Sequence, residues 1–206
     1  MWKERFFYFI VKWEFNFIDS LGKAAALSTD QIDVENGERY KIEFVDSDGE
    51  KKYPIILHNS PSGAIERVMF ALLDKDINTG KVPALPLWLS HTQVRVIPVA
   101  SKHLEFSEKI LDELGKNNIR ADIDERELSV AKKIREAESE WIHFILVIGD
   151  KEVGGNELVV RERVAKSQYG IALDNLIKKI KIETSDKPYL PLNLPTYLSK
   201  RPLIMV

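Results

Sequence analysis

Apolar and polar residues alternate at the start of the chain with the period of a β-strand. Apolar side chains occupy every second position from Phe7 to Phe17, which predicts a strand with one buried face. The sequence Asp46-Ser-Asp-Gly49 is typical of a hairpin turn and joins two of the following strands. The pattern therefore predicts an antiparallel sheet, whose other strands cover residues 24–34, 40–44 and 53–57.

An amphipathic helix is predicted after this sheet. Ser60 and Pro61 are typical of a helix start, because a serine side chain caps free amide groups and proline needs no amide partner there. Apolar residues from Ile65 to Leu72 recur at helical spacing, so Arg67 lies on the flank of the helix. Arg67 is then either a partner in a surface ion pair or a ligand for a phosphate group.

The pattern changes after residues 78–86, which are rich in turn-forming residues. Strands then alternate with helices, which predicts right-handed crossovers and a mostly parallel sheet with helices on both faces. The Gly154-Gly155 turn predicts one antiparallel strand, and the proline-rich tail from Lys187 is expected to pack on the domain as an extended arm. The predicted strands are 93–99, 119–123, 142–148 and 157–163, and the predicted helices are 104–114, 127–139 and 169–181.

Composition narrows the class of protein. A chain of 206 residues with 44% apolar residues is long enough for two domains, and the absence of cysteine excludes disulfides and cysteine-ligated zinc. No run of about 20 apolar residues predicts a membrane span, so we expect a cytoplasmic protein. The net charge of -2 argues against a large basic surface for DNA, but it is compatible with a local contact to RNA.

Several short motifs stand in a recognisable order. Residues Gly63 to Arg67 have the form Gly-x-x-Glu-Arg, and residues 147–153 contain the run Asp-Lys-Glu-Val. With four further segments, this order and spacing resembles the carboxyl-terminal part of archaeal-type threonyl-tRNA synthetases over nearly the whole chain. The first motif resembles the third signature of class II synthetases, and the second resembles part of their anticodon-binding domain. The further segments are residues 25–36, 87–98, 122–126 and 133–138.

The resemblance implies a fold and a domain division. Residues 1–82 would be the end of a class II catalytic core, with a partial antiparallel sheet and a helix. Residues 83–206 would be a three-layer α/β anticodon-binding domain with a mixed five-stranded sheet. The first and second class II signatures would lie upstream of Met1, so this chain alone is expected not to form threonyl-adenylate.

The resemblance also implies roles for four residues of the first domain. Arg67 would contact the γ-phosphate of ATP, and Gly63 would let the backbone approach the nucleotide. Gln31 matches a position that lines the amino-acid pocket, although it is equally well explained as a hydrogen-bonding partner within a sheet. His58 matches the last of three zinc ligands, but zinc sites need three or four ligands, so we expect His58 to be metal-free with a structural role.

In the second domain the resemblance implies contacts with tRNA. Glu152 and Arg161 match positions that read anticodon bases in the family. The residue types suit this role, because a carboxylate can accept hydrogen bonds from guanine and a guanidinium can donate them to base acceptors. Arg135 matches a basic position that faces the anticodon stem, and Glu127 stands where many relatives have Asn or Asp. Lys132 and Lys133 lie beside Arg135 and are expected either to contact phosphates or to form a solvated helix face.

The implied function is recognition of tRNA(Thr) through its anticodon, in support of ATP-dependent aminoacylation. The complete family enzyme uses ATP and zinc, whereas no cofactor is expected in this chain. The expected partners are tRNA(Thr) and either a second copy, giving a homodimer, or a complementary synthetase chain. Two alternatives stay open, namely the tRNA-binding part of a subunit that removes mischarged serine and a non-catalytic accessory module that dimerises.

Overall fold

The computed structural model describes residues 7–202. The chain divides into two compact units, which comprise residues 1–81 and 82–206. Within residues 7–202, no helix has the length and apolar character needed to cross a membrane.

The first unit is built on a small antiparallel sheet. Three strands pair in the order β1-β2-β5, and two short strands, β3 and β4, form a separate hairpin. Helix α2 packs against β2. The strands are β1 (Phe9–Ile18), β2 (Ala24–Asp33), β3 (Phe44–Val45), β4 (Lys51–Lys52) and β5 (Ile56–Ser60), and the helices are α1 (Asn36–Arg39) and α2 (Ile65–Asp74).

Two local predictions for this unit are wrong. The strand predicted at residues 40–44 forms only at its end, because residues 40–43 are a turn and irregular chain and β3 begins at Phe44. Before it, the Asp33 carboxylate accepts the amides of Glu35 and Asn36 and turns the backbone into α1. Ser60 does not cap a helix, since it remains in β5 and pairs with Thr29 of β2. Helix α2 instead begins at Ile65.

Strand β1 differs from its prediction in burial. The alternating residues predict a buried face, yet Trp13 is 58% and Phe15 is 65% exposed. Among the described residues β1 pairs only with β2, and the register shifts at Phe9/Val11 and Phe15/Asn16. This prediction is wrong for the described part of the chain, which leaves a long apolar strand at a sheet edge.

The second unit contains a mixed five-stranded sheet, as predicted. Its strands run in the order β10-β9-β8-β6-β7, with β6, β7 and β8 parallel and with β9 and β10 antiparallel. The strands are β6 (Val94–Pro98), β7 (Ala121–Ile123), β8 (Phe144–Ile148), β9 (Leu158–Glu162) and β10 (Ser167–Ile171). The helices are α3 (Leu104–Lys116), α4 (Val130–Ser139), α5 (Asp150–Gly154) and α6 (Leu173–Glu183).

Helices cover both faces of this sheet. The side chains of Val94 and Val96 belong to the larger core, which includes Ile110 of α3 and Ile180 of α6. Ile97 points to the other face and packs in a smaller core with residues of α4. The unit therefore has the three layers predicted from alternating strands and helices.

The chain after β8 differs from its prediction in two places. Residues 167–171 form β10 and not the start of a helix, because a turn closed by Lys166 N–H and Arg163 O returns the chain beside β9. The short helix α5 was also not predicted. The proline-rich tail packs as an arm, as expected, since Ile123 N–H donates to Thr196 O at 2.9 Å and Tyr197 bridges to Ile123.

Candidate functional site

A cavity of about 260 Å³ lies beside the carboxyl ends of β6 and β8 in the second unit. Ligands of open α/β sheets commonly bind at this edge, where loops after parallel strands diverge. The cavity brings together Glu152 and Arg161, the two residues expected to read bases. The other lining residues are Val99, Ile134, Ile145, Val147, Gly149, Val159 and Gln168.

Glu152 is held by its own turn. The side chain is 9% exposed, and its Oε2 accepts the Gly149 N–H at 2.9 Å. In residues 7–202 no hydrogen bond occupies Oε1, so this oxygen remains an acceptor within the cavity lining. A Cβ atom on Gly149 would lie 3.3 Å from Glu152 Oε2 and 3.6 Å from Val99 Cγ2, so glycine lets this backbone approach both side chains.

Arg161 contributes donors from the opposite wall. It stands on β9 across from Ile145 of β8, and its Nε donates to Glu138 Oε1 at 2.6 Å. The side chain is 44% exposed, so the ion pair leaves part of the guanidinium in contact with solvent. Gln168 of β10 is directly opposite Arg161 and adds both a donor and an acceptor.

A second cavity of about 340 Å³ adjoins the first through Val99, which lines both and is 48% exposed. Glu127, one of the predicted contact residues, lies in its wall together with Ser101 and Arg126. The remaining lining residues are Pro98, Ala100, Leu104, Glu125, Leu128 and Lys133. The two cavities thus form a continuous indented surface around Val99.

Arg126 is fixed by two carboxylates. Its Nη2 donates to Asp124 Oδ2 at 2.7 Å and to Glu136 Oε2 at 2.6 Å. The hydrogen bond with Asp124 raises the pKa of Arg126 above its usual range, against the opposing effect of burial. The guanidinium is therefore a permanent, oriented cation in the wall of the second cavity.

The basic residues of α4 fall into two groups. Lys132 and Arg135 are exposed, and Arg135 lines neither of the two cavities. Lys133 is only 4% exposed, and its Nζ donates to Asp124 O at 2.9 Å. The expectation that Lys133 contacts a phosphate is wrong, because its ammonium is buried on backbone carbonyl groups.

In the first unit, Gln31 and His58 are direct partners across β2 and β5. Gln31 Oε1 accepts from the Tyr8 hydroxyl at 2.8 Å, and His58 Nε2 lies 2.8 Å from Asp33 Oδ2. Burial would raise the pKa of Asp33, but hydrogen bonds from Asn36 and His58 outweigh it and hold the pKa below its ordinary value. Both predicted residues take part in a hydrogen-bonded network on the sheet.

The donor set does not fit a zinc ion. Residues 7–202 contain no group of three or more His, Asp or Glu side chains that could hold a metal. His58 is a single imidazole whose Nε2 is engaged by Asp33, which falls short of a zinc coordination sphere.

Gly63 and Arg67 lie against another part of β2. Gly63 has a φ of +58°, and a Cβ there would be 2.4 Å from Leu27 O, so only glycine fits this close approach. Arg67 Nη1 donates to Ala26 O at 3.1 Å. Leu27 and Gln31 are four residues apart on one strand, a separation of about 13 Å.

Comparison with known proteins shows what the second unit is similar to. Residues 93–183 match the family described as "Anticodon binding domain". A threonyl-tRNA synthetase RNA-binding domain from Cryptosporidium parvum aligns with a TM-score of 0.66 and 27% identity, covering 84% of this chain and 42% of that one. A prolyl-tRNA synthetase from the same organism shares the fold with a TM-score of 0.72 and 20% identity, covering 87% of this chain and 38% of that one. Residues 93–183 are therefore similar to the anticodon-binding domains of aminoacyl-tRNA synthetases.

Sequence relatives indicate which kind of aminoacyl-tRNA synthetase the chain resembles. The chain is 56% identical over its full length to a threonine–tRNA ligase of Nitrosopumilus maritimus, of which it covers 34%. It is 55% identical to the corresponding ligase of Pyrococcus horikoshii, with 98% of this chain and 33% of the relative covered. The chain is thus homologous to archaeal threonyl-tRNA synthetases and spans about a third of their length.

Proposed function

We propose that this chain recognises tRNA(Thr) through its anticodon and supports threonine–tRNA ligation in a complete or split enzyme in the cytoplasm. The main support for the proposal is that Glu152 and Arg161 line the same cavity, within the residues that match an anticodon-binding domain. A carboxylate and a guanidinium in one recess offer an acceptor and fixed donors to the same unpaired base.

The chemistry of the first cavity suits a base edge. Glu152 is fixed through Oε2, and Oε1 can accept from the ring and amino N–H groups of a guanine. Arg161 and Gln168 can donate to carbonyl and ring acceptors from the other side. Val147 and Val159 supply apolar surface for the face of the base.

We further propose that the second cavity receives the neighbouring base. Val99 lies between the cavities, where an exposed apolar side chain separates two unstacked bases. Glu127 offers an acceptor, and Arg126 offers a cation whose orientation is fixed by Asp124. Arg135 and Lys132, exposed on α4, would contact phosphates of the anticodon stem.

Binding of tRNA(Thr) and of the same tRNA with changed second or third anticodon bases tests this proposal. The affinity is measured at one fixed salt concentration, because phosphate contacts make it strongly salt-dependent. We expect Arg161→Ala to weaken binding of the natural anticodon about tenfold and to reduce discrimination between anticodons. Lys178→Ala, an exposed charge change on α6, is the matched control and should retain discrimination. Binding that ignores both the anticodon and Arg161→Ala would refute the proposal.

We also propose that residues 1–82 are the end of a class II catalytic core that acts with further polypeptide. The support is that this chain matches about a third of the length of each archaeal relative. In a complete enzyme, Arg67 would contact ATP, and Gly63 would let the backbone come close to the nucleotide. The lack of a side chain at Gly63 already allows its close approach to Leu27 O in this chain. Gln31 and His58 would border the amino-acid pocket as members of the hydrogen-bonded network on the sheet.

A second candidate function is protein association through the first unit. The exposed apolar side chains of β1, including Trp13 and Phe15, favour a partner chain or a second copy at this edge. Sedimentation velocity across a range of concentrations tests it. A dimer that forms without any tRNA affinity would favour the accessory role, whereas a monomer with anticodon-dependent binding would favour the first proposal.

A further inference from the structure

A buried histidine lies behind the first cavity without lining it. His103 is 4% exposed and ends the short 3-10 helix Ser101–His103 that connects β6 with α3. The Ala100 N–H donates to His103 Nδ1 at 3.2 Å, and His103 Nε2 lies 3.0 Å from Asp150 Oδ1. Since Nδ1 accepts, the ring hydrogen is on Nε2 and is donated to Asp150.

These two hydrogen bonds join the loops that form the cavity. One loop follows β6 and carries Val99, the residue shared by both cavities. The other follows β8 and carries Gly149 and Glu152, the proposed base acceptor. The imidazole bonds to the backbone of the first loop and to a side chain of the second. It therefore connects the two loops beyond the last backbone hydrogen bond between them, which runs from Val99 N–H to Ile148 O at 2.9 Å.

The same connection reaches the Glu152 carboxylate through one residue. Asp150 follows Gly149, whose N–H orients Glu152 Oε2 and whose backbone also approaches Val99. A shift of Asp150 therefore moves the donor that orients Glu152. Lys102 also pairs with Asp150, but both side chains are largely exposed, so this ion pair contributes little to the position of the turn.

From this geometry we propose that His103 is a positioning residue that sets base specificity by holding Val99 and Glu152 at the correct distance. This inference rests on the proposed anticodon-binding function of the first cavity. His103 lines neither cavity, so the proposal assigns it no contact with the base. His103 affects the position of Glu152. It therefore affects discrimination between bases more than it affects the attraction of phosphates.

The test measures the affinity ratio between the natural and base-changed tRNA for a series of variants. We expect His103→Ala to reduce this ratio about tenfold, as for the loss of one charge-assisted hydrogen bond, with an unchanged salt dependence. His103→Gln should restore most of the ratio, because a glutamine amide can accept from Ala100 N–H and donate to Asp150. Asp150→Ala changes a side chain that is 76% exposed, so the fold should be retained while the ratio falls.

His143→Ala is the matched control, because His143 is 7% exposed and is also hydrogen-bonded in the second unit. It should lower stability comparably and leave the affinity ratio unchanged. The inference is overturned if wild type discriminates and both His103→Ala and Asp150→Ala discriminate equally well, or if His143→Ala has the same effect. If wild type itself shows no anticodon dependence, the proposed function fails and this inference fails with it.

Discussion

Asp122, on the edge strand β7, offers the sharpest test of the packing of the second unit. Its carboxylate is fully buried and accepts Arg95 Nε at 2.8 Å, Arg95 Nη2 at 2.9 Å and Arg201 Nη2 at 2.9 Å. The Thr92 hydroxyl adds a longer contact of 3.2 Å. Burial lowers the pKa of Arg95, but hydrogen bonds to Asp122 and Glu140 outweigh it and raise the pKa above its usual range.

Asp122→Ala would leave a buried guanidinium whose one remaining carboxylate partner in the described chain is the half-exposed Glu140. Breaking a buried pair on one side costs about 3–5 kcal/mol, a large share of a typical domain stability of about 5–15 kcal/mol. For a unit of this size the melting temperature should fall by about 10–20 °C. Arg201→Ala removes a single bond to Asp122 and should cost only about 1–2 kcal/mol.

Urea denaturation and native-state amide exchange in β6 would measure these free energies, since β6 exchange reports the second unit alone. The double variant Arg95→Met/Asp122→Leu should recover most of the loss, because it removes the unpaired charge as well as its partner. A cost for Asp122→Ala below about 1 kcal/mol, or one equal to that of Arg201→Ala, would refute this reasoning.

Three further predictions concern other parts of the molecule. Burial lowers the pKa of His143 below its ordinary value of 6.5, so the unfolded chain binds the proton more readily than the folded chain. Stability should therefore fall as the pH is lowered from about 7 to 5. Urea denaturation should show a smaller loss of stability for His143→Gln, and an equal loss would contradict this prediction. Gly63→Ala should destabilise the first unit by over about 1 kcal/mol more than Gly22→Ala does, because both glycines have a positive φ but only Gly63 lies close to Leu27 O. Equal urea midpoints for the two variants would disprove this steric argument. Lys132→Ala should weaken tRNA binding equally for all anticodons and reduce the salt slope by about 0.7–1, and an anticodon-dependent effect would count against a phosphate contact.

The sequence predicts the second unit better than the first. Long apolar runs such as the one ending at Ile148 indicate buried parallel strands directly, and β8 lies where it was predicted. Strand β10 is harder to predict, since residues 167–171 have few β-branched side chains and include Gly170. Its pairing with β9 decides its structure, and for that reason Gln168 was missed as a cavity residue.

The burial of charged residues is only partly readable from sequence. The charge of Lys133 predicts either a phosphate contact or a solvated helix face, although Lys133 stands at helical spacing with the core residues Val130, Ile134 and Ala137. That spacing was the available signal, and the charge of the side chain concealed it. In β1, alternation identifies an apolar face correctly, but it cannot specify whether residues of the same chain cover it.

Glu152 and Arg161 were predicted through the resemblance, whereas their meeting in one cavity depends on pairing that sequence does not contain. Arg161 reaches the cavity because β9 pairs antiparallel to β8, and Glu152 reaches it because α5 turns the chain back after β8. Tertiary pairing of this kind determines which predicted residues can act together.

The most direct measurement is methyl NMR of the second unit during titration with the anticodon stem-loop of tRNA(Thr). The account predicts shifts for methyl groups of Val99, Val147 and Val159, which line the first cavity, and much smaller shifts for Leu111 and Ile119, which line a separate cavity. A stem-loop with changed second and third anticodon bases should lose the shifts of the three valines. Shifts that are absent from these valines, or that are identical for both stem-loops, would contradict the claim that this cavity reads the anticodon.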